Sequence, residues 1–343
     1  MQRSLPYITV IVPVYNGRDF LPRCLDALFS SDYASFEVLV VNDGSTDDGP
    51  EIAAQKGARV ISTDHRSGPG AARNLAAEVA AGEILVFVDA DVVVKHDTLR
   101  KFGENFVQLP EVSAIFGSYD DEPAEQNFLS QYKNLQHHFV HQNSERDAST
   151  FWSGLGAIRR GVFIAHGGFD CEKYSIPSIE DIDLGYRLRR SGHQILLDRS
   201  IQAKHLKRWE LISHLRTEIF CRALPWSRLI LEENRIINDM NVKTGDRISA
   251  MLVALLLLSL PFIFWKPIAA LIPIGCLLGL VYLNREILAF YARKRGVLFA
   301  ALTFPWQLLY FFYSGVVFSY CWVRYALPHL LGFTKEASAA NCL

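Results

Sequence analysis

Short, solidly apolar runs alternate with amphipathic stretches through the first part of the chain, which predicts buried strands linked by helices in an α/β sheet. Ile8 to Val14 reads as a strand, followed by a helix from about Gly17 to Ser30. Phe36 to Val41 is the next strand and ends at Asn42-Asp43-Gly44-Ser45. A further helical pattern leads to an apolar run at Ala58 to Ser62, and the Ala-rich stretch Gly70 to Ala81 predicts a helix. Glu83 to Val88 predicts a buried strand that delivers Asp89 and Asp91 at its C-terminal end, where ligands of open α/β sheets collect. From Phe102 to Thr150 the pattern weakens, although the polar, aromatic stretch Gln126 to Glu145 predicts a helix closing over a site. Regular structure returns from Phe151 to Trp209, with a turn at Gly167-Gly168-Phe169-Asp170 and a helix over Glu180 to Ser191.

The pattern then changes character. Residues 210–247 predict amphipathic interface helices, with Leu211, Ile212, Leu215, Ile219 and Phe220 near helical spacing. Arg216, Arg222, Trp226 and Arg228 are side chains suited to a headgroup layer. Residues 248–343 read as a helical membrane domain, with spans at about 248–264, 267–284 and 297–323, because one span needs about 20 apolar residues. Trp306, Tyr310, Tyr320 and Trp322 ring the third as an aromatic belt. Arg247 and the cluster Arg285, Arg293, Lys294 and Arg295 face only Lys266 on the other side, so positive-inside logic orients residues 1–209 to the cytoplasm. The expectation is a multi-pass protein of the cell's inner membrane.

Composition agrees with this division. Half of the 343 residues are apolar and 21% are charged, too apolar for an ordinary soluble protein. The net charge of −1 supplies no basic field for nucleic acid. Six scattered cysteines without a C-x-x-C pair read as reduced thiols of a cytosol-facing protein. The apolar stretch Ile8 to Val14 is too short, and lacks the cleavage site, for a signal peptide. No motif speaks to oligomeric state.

Asp89 and Asp91, separated by the small Ala90, set two carboxylates at the end of a buried strand. Oxygen donors in that setting suit Mg²⁺ or Mn²⁺, which also bind diphosphate oxygens. The same pair read alone is equally a solvated strand end. Its company changes the balance. Pro13-Val14-Tyr15-Asn16 closes the first strand, Asp43 closes the second, and Gly68-Pro69-Gly70 leads to Arg73 at a helix start, where phosphates bind well. Glu180-Asp181 opens a later helix, where the pair is either a general base with its neighbour or two acids complementing the helix dipole. Trp152 is either a sugar-stacking platform or a core tryptophan, and His205 either a diphosphate contact or metal ligand or a core histidine.

This set, in this order, resembles the family 2 glycosyltransferases over roughly residues 7–209. The resemblance implies an inverting enzyme of GT-A fold, a Rossmann-like mixed sheet flanked by helices. It implies that Pro13, Tyr15 and Asn16 shape the base pocket, that Asp43 contacts nucleobase or ribose, and that Arg73, Asp89 and Ala90 hold the nucleotide. Asp91, with Asp89, would bind the divalent metal, Mn²⁺ or Mg²⁺, and Asp181 beside Glu180 would be the general base. Trp152, Gly154, His205, Arg208 and Trp209 would serve the acceptor or diphosphate. Polymer-forming members carry Gln-x-x-Arg-Trp where this chain has His205-Leu206-Lys207-Arg208-Trp209. The expectation is therefore transfer of one sugar, from a UDP-sugar by family habit, to a lipid-linked acceptor. A processive synthase and a non-catalytic nucleotide-sugar-binding scaffold are the alternatives, and a nucleotidyltransferase is the remaining one.

Overall fold

The computed structural model describes residues 4–233, 240 and 242–326. Cys342, part of the 210–247 stretch and the end of the 248–343 domain lie outside the described residues. Two compact units divide the chain: Met1–His214 with Asp239–Asn241, and Leu215–Asn238 with Val242–Leu343.

The first unit is built on a nine-stranded mixed sheet. Strands β1 (Ile8–Val14), β2 (Phe36–Asn42), β3 (Arg59–Ser62) and β4 (Ile84–Val88) form its parallel part, as the apolar runs predict. Three later strands, β5 (Val92–Val94), β6 (Val112–Tyr119) and β9 (Gln194–His205), come from stretches whose periodicity did not announce them. With the short β7 (Asp147–Ala148) on β9, and β8 (Leu155–Arg159) antiparallel between β4 and β6, the order is β3-β2-β1-β4-β8-β6-β9-β5. The C-terminal ends of β1, β2, β4, β6 and β9 therefore share one edge of the sheet with the entrances to β5 and β8.

Strand order reverses beside β1: β2 and β3 lie on one side of it and β4 on the other. Such a switch point opens a crevice beyond the carboxyl ends of the strands. Pro13 sharpens it. The β1–β4 register runs only from Ile8↔Ile84 to Ile11↔Phe87, so the missing N–H of Pro13 falls where the two strands have already parted.

Seven helices flank the sheet: α1 (Leu21–Phe29), α2 (Gly49–Gln55), α3 (Pro69–Val79), α4 (Thr98–Gln108), α5 (Phe128–Gln142), α6 (Arg160–Ala165) and α7 (Glu180–Arg190). Helix α1 starts later than the sequence pattern predicts, because Gly17 to Phe20 form a turn whose Arg18 N–H donates to Asp47. Helix α5 explains the weak periodicity before Thr150. Its buried face is polar, and those side chains serve the backbone of β6. Asn134 donates to the Asp120 carbonyl (2.7 Å), His138 Nδ1 to that of Tyr119 (2.8 Å) and His141 Nδ1 to that of Gly117 (2.9 Å). A helix that buries hydrogen bonds in place of leucines leaves no apolar stripe to read.

Burial pushes His141 down to about 4 from an ordinary 6.5. Its neighbours are the Gly117 carbonyl, which favours the cation, and His138, which opposes it. The unfolded chain takes up this proton near pH 6.5 and the fold only near pH 4, so stability should fall as pH drops across that window. The group's share is about 3 kcal/mol by linkage. Thermal melts of His141→Gln against pH should show a shallower acid slope than the parent protein; equal slopes would remove His141 from the account.

In the second unit, a helical stretch runs through α8 (Leu211–Arg216, which begins in the first unit), a π-helical turn (Thr217–Ala223) and α9 (Leu224–Glu232). Then come α10 (Thr244–Ser259), α11 (Leu271–Leu283), α12 (Arg285–Arg295) and α13 (Val297–Cys321). Val253, Leu280 and Phe311 form the small core where α10, α11 and α13 meet. Two helical segments, Thr244–Phe264 and Val297–Tyr325, are long and apolar enough to cross a membrane. The count of three expected from sequence is reached only if Pro267–Leu283 and Arg285–Arg295 act as one span, and these meet at a 65° bend. The charged 285–295 stretch, read from sequence as a loop, is helical, since Glu286 through Arg295 contains no breaker before Gly296. The five described cysteines are free thiols.

Candidate active site

Four loops meet at the carboxyl edge of the sheet around the switch point. After β1, Tyr15 is exposed and Asn16 takes a positive φ of 50°, which lets its side-chain oxygen accept the Thr46 N–H (2.8 Å). Arg66 lies over the Tyr15 ring, 3.9 Å from its centroid. Asp43, after β2, is 4% exposed and turned into the protein. Its carboxylate accepts from Thr63 Oγ1 (3.0 Å), Ser67 N (2.7 Å) and Gly68 N (2.8 Å), fixing the loop that enters α3. Gly44 at φ +76° has no Cβ to meet the Arg66 backbone, so that loop can close against β2. Pro13 is buried in the strand, and Ala90 packs beside the core with Gly17.

Arg73 on α3 is 3% exposed and joins two motifs. Its Nη2 donates to Asp89 Oδ1 (2.5 Å), and its Nη1 lies 3.7 Å from Glu180 Oε1. Expected from sequence to serve the donor nucleotide, it here engages two carboxylates. Burial raises the Asp89 carboxyl against the opposing charge of Arg73, with Asp91 adding to the rise. Burial and the neighbouring Asp181 likewise raise Glu180, again opposed by Arg73. Cys24 lies beneath, its Sγ 3.7 Å from the Asp89 carbonyl, and burial beside these acids pushes its thiol far up, so it stays protonated.

Asp91 sits on the far side of the pair, with its side chain about a quarter exposed. Its Oδ2 is 3.4 Å from His205 Nε2, because β5 and β9 pair with Val92 opposite His205. Burial works against the Asp91 anion, but the hydrogen bond and charge of His205, helped by Lys207, outweigh it and hold the carboxyl below its ordinary value. His205 stacks on Tyr119, 4.2 Å between centroids and 9° from parallel, which fixes its ring plane. The ring thus faces a carboxylate, not an apolar core. Two donors 3.4 Å apart are close to the spacing of about 3 Å expected for adjacent ligands of one octahedral Mg²⁺-sized ion. Among the described residues no group of three or more His, Cys, Asp or Glu forms a closed metal cage. The open side suits an ion whose other ligands are water and substrate phosphates.

Asp181, at the start of α7, receives three hydrogen bonds. Ser153 N and Oγ donate to Oδ2 (2.9 and 3.0 Å), and Ile182 N donates to Oδ1 (2.9 Å). Asp183, one turn position on, is occupied by Arg187 (2.8 Å) and Lys173 (3.3 Å) and stands apart from this chemistry. Gly154 lies against Trp152, where a Cβ would meet the indole at 2.6 Å, and its carbonyl accepts the Asp89 N–H. Trp152 is half-buried, edge-on to Tyr119 (4.8 Å) and tilted on His137 (4.6 Å). It therefore belongs to an aromatic cluster at the site and keeps a partly open surface.

Two expected residues are not brought in. Arg208 is exposed and pairs with Glu210 (2.7 Å) and Glu125 (3.2 Å). Trp209 is buried, with its N–H donating to Ser130 and its carbonyl accepting from Asn127. Lys207, which sequence reasoning passed over, adds its charge to that of His205 in lowering Asp91. Tyr119 was also missed; it carries no sequence signal, since its role comes from β6 lying beside β9. Ser153 opens the Ser153–Ala157 segment that resembles the family's acceptor side, but its tie to Asp181 was not legible.

Known proteins bear on this arrangement. Residues 9–167 match the family model described as glycosyl transferase family 2. The chain is 31% identical over 117 residues to the glycosyltransferase GlyG of Streptococcus pneumoniae serotype 4, covering 33% of this chain and 38% of that protein. It is 34% identical over 175 residues to the putative glycosyltransferase EpsH of Bacillus subtilis, covering 47% and 49%. The matched stretches thus span less than half the length of these relatives. Among solved structures, the mannosyltransferase PcManGT of Pyrobaculum calidifontis, in complex with GDP-Man and Mn²⁺, aligns over 96% of this chain and 89% of its own. Its TM-score is 0.51 at 20% identity, which identifies the fold as GT-A. Residues 9–167, which carry the switch-point crevice and the paired acids Asp89 and Asp91, are thus similar to glycosyl transferase family 2, on a sheet of GT-A fold.

Proposed function

We propose that this glycosyltransferase moves one sugar, with inversion, from a nucleotide-sugar to a lipid-linked acceptor at the cytoplasmic membrane face. The observation that carries it is Asp181 at the carboxyl edge of the sheet, beside the Asp89–Asp91 pair through Ser153 and Gly154. An acceptor hydroxyl would give its proton to Asp181 as its oxygen attacks the anomeric carbon. The bond from that carbon to the diphosphate breaks on the opposite side, and the electron pair leaves with the nucleoside diphosphate. Glu180 and Arg73 would fix the helix start and Asp89, keeping the acids in register. Asp91 and His205 would hold a divalent metal, which supplies positive charge to the departing diphosphate.

Tyr15 with Arg66, and the loop tied by Asp43, would receive the nucleobase and ribose. A UDP-sugar is the first choice on family grounds; the GDP-Man held by PcManGT makes a GDP-sugar the second. Trp152 would offer its open surface to the acceptor. The lipid acceptor is supported by the two candidate spans in the same chain, and the cytoplasmic side by the Arg and Lys residues at 285–295. A single transfer is favoured over polymer synthesis, because His205 stands where polymer-forming members carry Gln.

Membranes carrying the protein, incubated with a panel of UDP- and GDP-sugars, should yield one lipid product larger by a single sugar in mass spectra. A ladder of masses would establish processive synthesis instead, and turnover to free sugar alone would remove the lipid acceptor.

A further inference from the structure

We propose that Ser153 is the positioning residue for the proton acceptor, leaving only Asp181 Oδ1 open to the acceptor hydroxyl. This rests on Asp181 being the base. A carboxylate offers about four lone-pair directions, two on each oxygen. The Ser153 N–H and Oγ–H fill both on Oδ2, at 2.9 and 3.0 Å, and the Ile182 N–H fills one on Oδ1. One direction remains, on Oδ1. A hydroxyl that donates to Asp181 must therefore approach from that side. On transfer its proton ends on Oδ1, its oxygen bonds the anomeric carbon, and the sugar–phosphate bond breaks with its electrons on the leaving diphosphate.

Ser153 is well placed to act as a fixed reference. It is 4% exposed, and it precedes β8, which is held on both sides by β4 and β6. The next residue's carbonyl accepts the Asp89 N–H, so one dipeptide touches both the donor-side acids and the base. Asp181, by contrast, starts a helix that follows the loop 171–179, and its orientation needs an external tie. The Ser153 hydroxyl is that tie. The groups facing Asp181 are Glu180 on its own helix, Arg73 on α3 through Glu180, and Ser153 itself.

The test uses the full chain in membranes with UDP- and GDP-sugars as probes, comparing Ser153→Ala, Ser153→Thr and Asp181→Asn. Ser153→Ala keeps the backbone donor and loses the hydroxyl, so kcat should fall about tenfold, the worth of one charge-assisted hydrogen bond, with the donor KM unchanged. Ser153→Thr, which restores a hydroxyl, should recover most of the rate. An unchanged kcat in Ser153→Ala, an equal loss of donor affinity, or no recovery in Ser153→Thr would overturn the inference. If Asp181→Asn keeps its turnover, the assignment of the base falls first and this inference with it. If Asp181→Asn is inactive while Ser153→Ala is unaffected, only this inference falls.

Discussion

Asp181→Asn should lose sugar transfer by about 10²–10⁴-fold, the range a positioned general base supplies, while still binding nucleotide. Asparagine has nearly the shape of aspartate, and its carbonyl oxygen can still accept from Ser153 N and Oγ at the buried side. What it cannot do is take a proton from an attacking hydroxyl. The fold and the donor side should therefore survive, since Arg73, Asp89 and Glu180 keep their contacts. Transfer rates and nucleotide titrations on the same membranes separate the two effects. Turnover within tenfold of the parent would take the role away from Asp181 and turn attention to Glu180, whose burial already raises its carboxyl toward the protonated form.

The second large effect is expected at Asp91. Asp91→Asn should lower turnover by about 10²-fold or more, comparable with removing one preorganised contact to a developing charge. Strand pairing should persist, because the link between the two segments at this point is backbone: Leu206 N–H donates to the Asp91 carbonyl at 2.8 Å. In the parent protein a chelator should stop transfer and added Mn²⁺ should restore it. In the variant the Mn²⁺ needed for half-restoration should rise, because one anionic donor is gone and His205 remains. Direct Mn²⁺ titration followed by electron spin resonance gives the same comparison without turnover. Parent activity that is indifferent to chelation would end the metal assignment.

The parallel half of the sheet was legible because Ile8–Val14, Phe36–Asn42 and Ile84–Val88 are buried on both faces and read as solid apolar runs. Asp43, Asp89 and Asp91 were legible because they follow such runs. β6 was not, and of α5 only the helix was read, not what it packs on, for one shared reason. Their contact is made by Asn134, His138 and His141 on strand carbonyls, and a polar interface has no hydrophobic period. β9 was hidden as well: its edge pairings with the short β5 and β7 leave residues such as Arg199 and Ser200 exposed.

Asp89-Ala90-Asp91, Glu180-Asp181 and the order of motifs between them were determined by the sequence alone, as was the change to apolar helices after residue 247. Local order suffices there, since each motif is a few adjacent residues at the end of one element. Which groups meet was decided only by the tertiary structure. It turned Arg73 toward Asp89 and Glu180, set His205 beside Asp91, directed Arg208 away to Glu125 and Glu210, and brought Ser153 to Asp181. All but Arg208–Glu210 are separated by many residues and joined by the arrangement of the sheet and its helices, which no short stretch of the chain encodes.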